Sequence, residues 1–296
     1  MSAEVRLLAA TRARVGESPI WLPEEGAWLW LDLQGREVHR YDPARGEDRV
    51  IASGFPEDLA CLARLELGAC VLASATGFHR LDARTGAVAP LPCPVPLPRG
   101  TIFNDGKADR HGALWIGSSD RAEASPLGRL WRIAAQGAEE VARGFIVSNG
   151  PAFAPDGSVA YFADTLGRCI LSFPLGPDGR PGTAEVFAAI PDPMGLPDGL
   201  TVDAAGDLWV GHWDGAQVTR WSPGGDLRER VALPARNVTA LSFGGEHLRD
   251  ALITTASLFP GQEDAPEGPH GGLLGWHEGP AGIEEPLLLL DWPSRA

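Results

Sequence analysis

Apolar residues in this chain come in short runs. Each run is followed by a few polar or glycine residues, then by a second short run ending on a large side chain. The first runs cover residues 28–32, 71–74, 114–117, 160–164, 208–211 and 251–255; their partners cover 38–41, 78–81, 130–133, 170–173, 218–221 and 273–276. Runs of this length bounded by turn formers predict β-hairpins, and long stretches of helical period are missing. Arg45-Gly46, Thr85-Gly86, Asp156-Gly157, Asp178-Gly179, Ala205-Gly206 and Gly224-Gly225 separate strand-like segments and supply residues that tolerate a positive φ. The partner runs end at 41, 81, 133, 173, 221 and 276, on average 47 residues apart, the length of one four-stranded blade. A sandwich would have no reason to repeat at that spacing. The pattern predicts an all-β, six-bladed β-propeller, with 1–296 as one domain.

Composition sharpens this picture in three places. The 37 Gly and 26 Pro agree with many short strands joined by tight turns. A net charge of −14 argues against a nucleic acid or an anionic membrane as partner, because both require basic patches. No apolar run approaches the roughly 20 residues of a bilayer span, and Met1 to Arg14 holds no apolar leader block, so a cytoplasmic location is expected. Cys61, Cys70, Cys93 and Cys169 have no paired metal-type spacing and read as reduced core or loop thiols.

The candidate chemistry lies just upstream of the first runs. Glu17 precedes Trp28 by 11 residues, Asn104 precedes Leu114 by 10, Asn149 precedes Ala160 by 11 and Asp198 precedes Leu208 by 10. Asn237 precedes Ala251 by 14, across an apparent insertion, and the second repeat places Cys61 here. Equivalent positions in successive blades lie at one height around the axis, so these side chains are expected to converge at one end of the central channel. Two carboxylates brought that close repel each other, and a divalent cation relieves the repulsion. An all-oxygen set favours Ca²⁺, Mg²⁺ or Mn²⁺ ahead of Zn²⁺ or Fe²⁺.

At these residues the chain resembles the gluconolactonase and regucalcin family, the senescence marker proteins. The resemblance runs through Gly16-Glu17-Ser18-Pro19-Ile20-Trp21, Asn104-Asp105-Gly106-Lys107, Ser148-Asn149-Gly150-Pro151, Pro197-Asp198-Gly199 and Asn237-Val238-Thr239 followed by Phe243-Gly244-Gly245. It implies a propeller with one divalent ion on its axis, Glu17, Asn149 and Asp198 as ligands, and Asn104 contacting substrate or water. It further implies hydrolysis of aldonolactones, with a small sugar lactone as partner. Two departures concern the substrate wall. Ile102 stands where the family often has Arg, and Gly117-Ser118-Ser119 stands for Gly-Thr-Met, so Ile102 and Ser119 are candidate substrate contacts.

A mechanism follows from these assignments. A cation with open positions polarises the lactone carbonyl, Asp198 takes the proton of the attacking water and Asn104 orients water or substrate. No Gly-x-Ser-x-Gly elbow argues for a serine nucleophile. His212, beside Trp213, is a further candidate for the substrate wall, although a packing role is commoner for such a His. Lys107 and Asp105 read as turn and supporting residues, and Trp21, Trp115 and Trp209 as core. The competing functions are a non-catalytic calcium-binding propeller and a hydrolase of other esters such as phosphotriesters.

Overall fold

The computed structural model describes residues 4–259 and 266–290. The expected span of 1–296 therefore reaches beyond the described residues at both ends. The chain forms six four-stranded antiparallel sheets arranged as the blades of a propeller, with a single 3₁₀ turn, Asp192–Met194, as the described helical element. The predicted hairpins are the second and third strands of each blade, for example Ala27–Asp32 with Glu37–Asp42 and Leu208–Trp213 with Gln217–Trp221. The segments upstream of them form the inner strands: Gly16–Leu22, Leu59–Glu66, Thr101–Ala108, Ser148–Phe153, Leu196–Val202 and Asn237–Gly244. In the sixth blade the outermost strand is Arg6–Ala9 from the start of the chain, paired with Leu273–Trp276. That pairing joins the two ends of the ring.

The core is distributed rather than central. Buried apolar side chains fall into six clusters, and each lies between two successive blades. Trp21, Trp28 and Trp30 of the first blade pack on Leu252 and Leu273 of the sixth, and Trp115 of the third packs with Phe153 and Phe173 of the fourth. Trp21, Trp115 and Trp209 are all buried, as the pattern predicted. Each blade has two faces to cover, which is why its inner and second strands are buried almost throughout, whereas outer strands such as Leu227–Ala232 alternate between half-buried and exposed residues.

Close packing also explains two glycines. A Cβ on Gly117 would sit 2.4 Å from the Ser148 hydroxyl of the next blade, and one on Gly211 would sit 2.3 Å from the Thr239 carbonyl oxygen. Both glycines let a neighbouring inner strand lie against the second strand of the preceding blade.

Blades three and five share a polar device. Asp109 Oδ2 accepts the Trp115 indole N–H at 2.9 Å, and Asp203 Oδ2 accepts that of Trp209 at 3.0 Å. In each blade an arginine directly across the ladder, Arg132 or Arg220, approaches the same carboxylate. The lower mouth of the channel is crossed by the segment from Glu284 to Leu289. Arg64 donates to the Glu284 side chain and to the Glu285 carbonyl, and the Leu288 and Leu289 amides donate to Arg64 and Gly112. Lys107 pairs with Glu285 at 3.1 Å. No helix among the described residues is long and apolar enough to cross a membrane.

Candidate functional site

The opposite mouth of the channel opens into a cavity of about 290 Å3. Its position follows from a defect repeated in every blade. All six inner strands lose register with their second strand near the middle, between Glu17 and Ile20, Leu59 and Cys61, Phe103 and Gly106, Asn149 and Ala152, Pro197 and Leu200, and Val238 and Leu241. A bulge of this kind leaves residues unpaired and re-aims side chains. Glu17 and Asn149 are the last paired residues before their bulges, whereas Asn104 and Asp198 lie inside theirs. All four line the cavity. The crowding at these bulges accounts for their glycines. A Cβ on Gly199 would lie 2.5 Å from Ala240 Cβ, and Gly150, at φ 75°, would place one 2.9 Å from Leu200. These glycines admit the next blade.

Hydrogen bonds aim the amides. Asn104 Nδ2 donates to the Ser148 carbonyl and to Asn149 Oδ1, both at 2.8 Å. Asn149 Nδ2 in turn donates to Thr165 Oγ1 at 2.9 Å. The chain Asn104–Asn149–Thr165 thereby fixes which end of each amide is oxygen. Asp105 is held on both oxygens, by the amides of Gly106 at 2.7 Å and Gly150 at 3.0 Å, and so ties the third blade to the fourth.

The carboxylates are electrostatically strained. Glu17 and Asp198 are each only 5% exposed. Burial first, and then the neighbouring carboxylates, hold both carboxyls well above their usual range: Asp198 and Asp105 act on Glu17, and Asp105 acts on Asp198. Burial likewise pushes Asp105 up to about 6, against the opposing pull of Lys107. Lys107 is committed to Glu285 and the Leu200 carbonyl on the far side, and no Lys, Arg or His is among the described residues lining the cavity. No three described His, Cys, Asp or Glu side chains form a metal cluster by themselves. The donor set here is instead two carboxylates and an oriented amide oxygen. Buried anionic oxygens without a cationic partner fit a hard divalent cation.

Other expectations are corrected. His212 is fully buried, with Nε2 2.7 Å from Thr219 Oγ1, and does not reach the cavity; Trp213 lines it instead. Ser119 is buried and accepts the Ser148 amide at 3.0 Å, joining two blades rather than facing a substrate. Both residues lie within second strands, one strand removed from the axis, where side chains point at neighbouring blades. Asn237 is also displaced. Its amide bridges the Asp214 N–H and the Leu258 carbonyl, binding two loops together. Ile102 does line the cavity. Thr165 was not foreseen. It follows Asp164 as Leu33 follows Asp32, and both line the cavity, so extending the repeat by one residue would have found it.

Thr165→Val keeps the shape of the side chain but removes the acceptor of the Asn149 amide. It is expected to lower kcat/KM about tenfold or more, as for other hydrogen-bond partners that orient a side chain in a functional site. Thr165→Ser should restore activity. Steady-state kinetics beside a thermal melt separates this from loss of folding.

Comparison with known proteins places this geometry. Residues 15–257 match the model of the SMP-30/gluconolactonase/LRE-like region. The chain is 32% identical to a 6-deoxy-6-sulfogluconolactonase of Pseudomonas putida, across 93% of this chain and 94% of that one. It is also 32% identical to an L-arabinolactonase of Azospirillum brasilense, across 92% and 90%. Among solved structures it is similar to regucalcin from Agrobacterium tumefaciens, described as a calcium-binding protein, with a TM-score of 0.86 and 28% identity over 96% of this chain and 97% of that one.

Proposed function

The chain belongs to the SMP-30/gluconolactonase/LRE-like family, and from that membership we propose that it hydrolyses sugar lactones to aldonic acids. In this reading Glu17, Asn149 and Asp198 hold a divalent cation at the floor of the axial cavity. The observation that carries it is the convergence there of two buried, mutually repelling carboxylates with the oriented amides of Asn104 and Asn149. Relatives named as lactonases support the reaction class. The chemistry such an ion supplies when bound is polarisation of the lactone carbonyl and acidification of water.

The chain's own residues divide the remaining work. Both Asn104 Nδ2 hydrogens are engaged, so its Oδ1 is the group left to orient water or a substrate hydroxyl. Asp105 has both oxygens occupied by backbone amides, whereas Asp198 is engaged by the Gly199 amide alone among the described residues. Asp198 is therefore the better group to receive the proton as water adds to C1. The ring C–O bond then breaks, the ring oxygen takes a proton, and the open hydroxy acid leaves. Apolar side chains around the floor limit competing water.

The test is a pH-stat titration of acid release from five- and six-carbon aldonolactones, run beside a phosphotriester. At least one aldonolactone is expected to be opened with kcat/KM of roughly 10⁴ M⁻¹ s⁻¹ or more. Cation binding without hydrolysis of any lactone would favour the regulatory propeller. Faster turnover of the phosphotriester would move the assignment to other esters.

A further inference from the structure

The polar floor of the cavity is surmounted by an apolar collar with the same repeat. Val15, Ile102, Val147 and Leu196 each stand two residues before Glu17, Asn104, Asn149 and Asp198, and all four line the cavity half-buried. Val15 and Val147 accept the Leu33 and Thr165 amides just before their inner strands, and Ile102 and Leu196 pair with Ser119 and Trp213, so the four occupy equivalent places before the bulges, on the mouth side of the floor. Ile102 thus matches the apolar residue that the first, fourth and fifth blades place there. Leu166 and Trp213 extend the same apolar wall.

Charge points the same way. The cavity is lined by five carboxylates, those of Glu17, Asp58, Asp105, Glu123 and Asp198, with no basic side chain among the described lining residues. Arg14, beside the lining residue Val15, hydrogen-bonds Gln34, and Arg36 pairs with Asp58 at 2.9 Å. One divalent cation leaves the wall net negative.

Resting on the lactonase reading, we infer that the preferred substrate is an uncharged 6-deoxy sugar lactone, and that lactones bearing an anionic group at C6 are rejected. With the carbonyl at the floor, the ring hydroxyls meet Asn104, Thr165 and the carboxylates. The exocyclic carbon projects beyond the ring and meets the collar. A terminal methyl is at home there, whereas a terminal hydroxyl held against Ile102 and Leu196 loses hydration and a phosphate faces carboxylates.

The experiment measures kcat/KM for matched pairs: L-rhamnono- against L-mannono-1,4-lactone, L-fucono- against L-galactono-1,4-lactone, and 6-phosphoglucono- against glucono-1,5-lactone. The deoxy member of each turned-over pair is expected to lead by roughly tenfold or more, and the phosphorylated lactone to trail by at least as much. Ile102→Arg should shrink the deoxy preference about tenfold and improve the phosphorylated lactone relative to its neutral partner. Equal or better turnover of the fully hydroxylated or phosphorylated members by the wild type overturns the inference while leaving lactone hydrolysis standing. So do ratios that Ile102→Arg leaves unmoved. No turnover of any lactone overturns both.

Discussion

Exhaustive chelation is expected to lower lactone opening by about three orders of magnitude, and a divalent cation to restore it. In Asp198→Asn or Glu17→Gln the same addition should restore little. Glu17 and Asp198 are buried, and burial and neighbouring carboxylates both disfavour their ionised forms. A cation held between them would reverse that balance and would supply Lewis-acid activation of the substrate. A thousandfold loss corresponds to about 4 kcal/mol of transition-state stabilisation.

Thermal unfolding offers a second readout that is independent of turnover. A cation at a hundred times its Kd should stabilise the wild type by about 2.7 kcal/mol and Asp198→Asn by much less. In the chelated protein the sign reverses. Asp198→Asn removes one of the repelling buried carboxylates, so the variant should melt at or above the wild-type temperature. Activity that survives chelation in full, or a chelated Asp198→Asn that melts well below wild type, would show that the two carboxylates do not hold a cation.

The largest effect away from the cavity is expected at Arg220. Its Nη2 lies 2.8 Å from Asp203 Oδ2 and its Nε 2.8 Å from Asp207 Oδ2, and its guanidinium lies 5.4 Å from the centre of the Trp209 ring. The two aspartate side chains are 1% and 0% exposed. Arg220→Ala leaves the buried Asp203 carboxylate without a cationic partner and Asp207 with Arg228 alone. Breaking a buried pair by removing one partner costs about 3–5 kcal/mol, and the effect here should fall near 3 because Arg228 still reaches Asp207 at 2.8 Å. For a chain of this size that lowers Tm by roughly 5 °C. These residues stand beyond the lower end of the fifth inner strand, away from the cavity, so kcat/KM at 25 °C should stay within about twofold of wild type. A melt within about 1 °C of wild type would show that the cluster is solvated and contributes little.

The propeller was legible in the sequence because its signals are local. A hairpin needs two short apolar runs and a turn, and the glycine turns named above fall between the first and second or the third and fourth strands of their blades. The six-fold repeat then multiplies a weak signal into a firm one. The same repeat placed Glu17, Asn104, Asn149 and Asp198 at nearly matched offsets, and the cavity gathers all four. Ile102 was also found from the sequence, although its meaning changed from a missing arginine to a member of an apolar collar.

What tertiary structure alone decided is the direction in which side chains near the axis point. The offsets of 11, 10, 11 and 10 residues differ by one, and in a regular strand a one-residue difference turns a side chain to the opposite face. The bulges absorb that difference, so Asn104 and Asp198 from inside a bulge and Glu17 and Asn149 from its edge reach the same space. His212 and Ser119 show the converse: near the cavity end of second strands, they stand one strand away from the axis and pack between blades. Local spacing specifies strands and turns because those depend on neighbouring residues. Which face meets the axis depends on six blades closing on one another, and no single repeat encodes that.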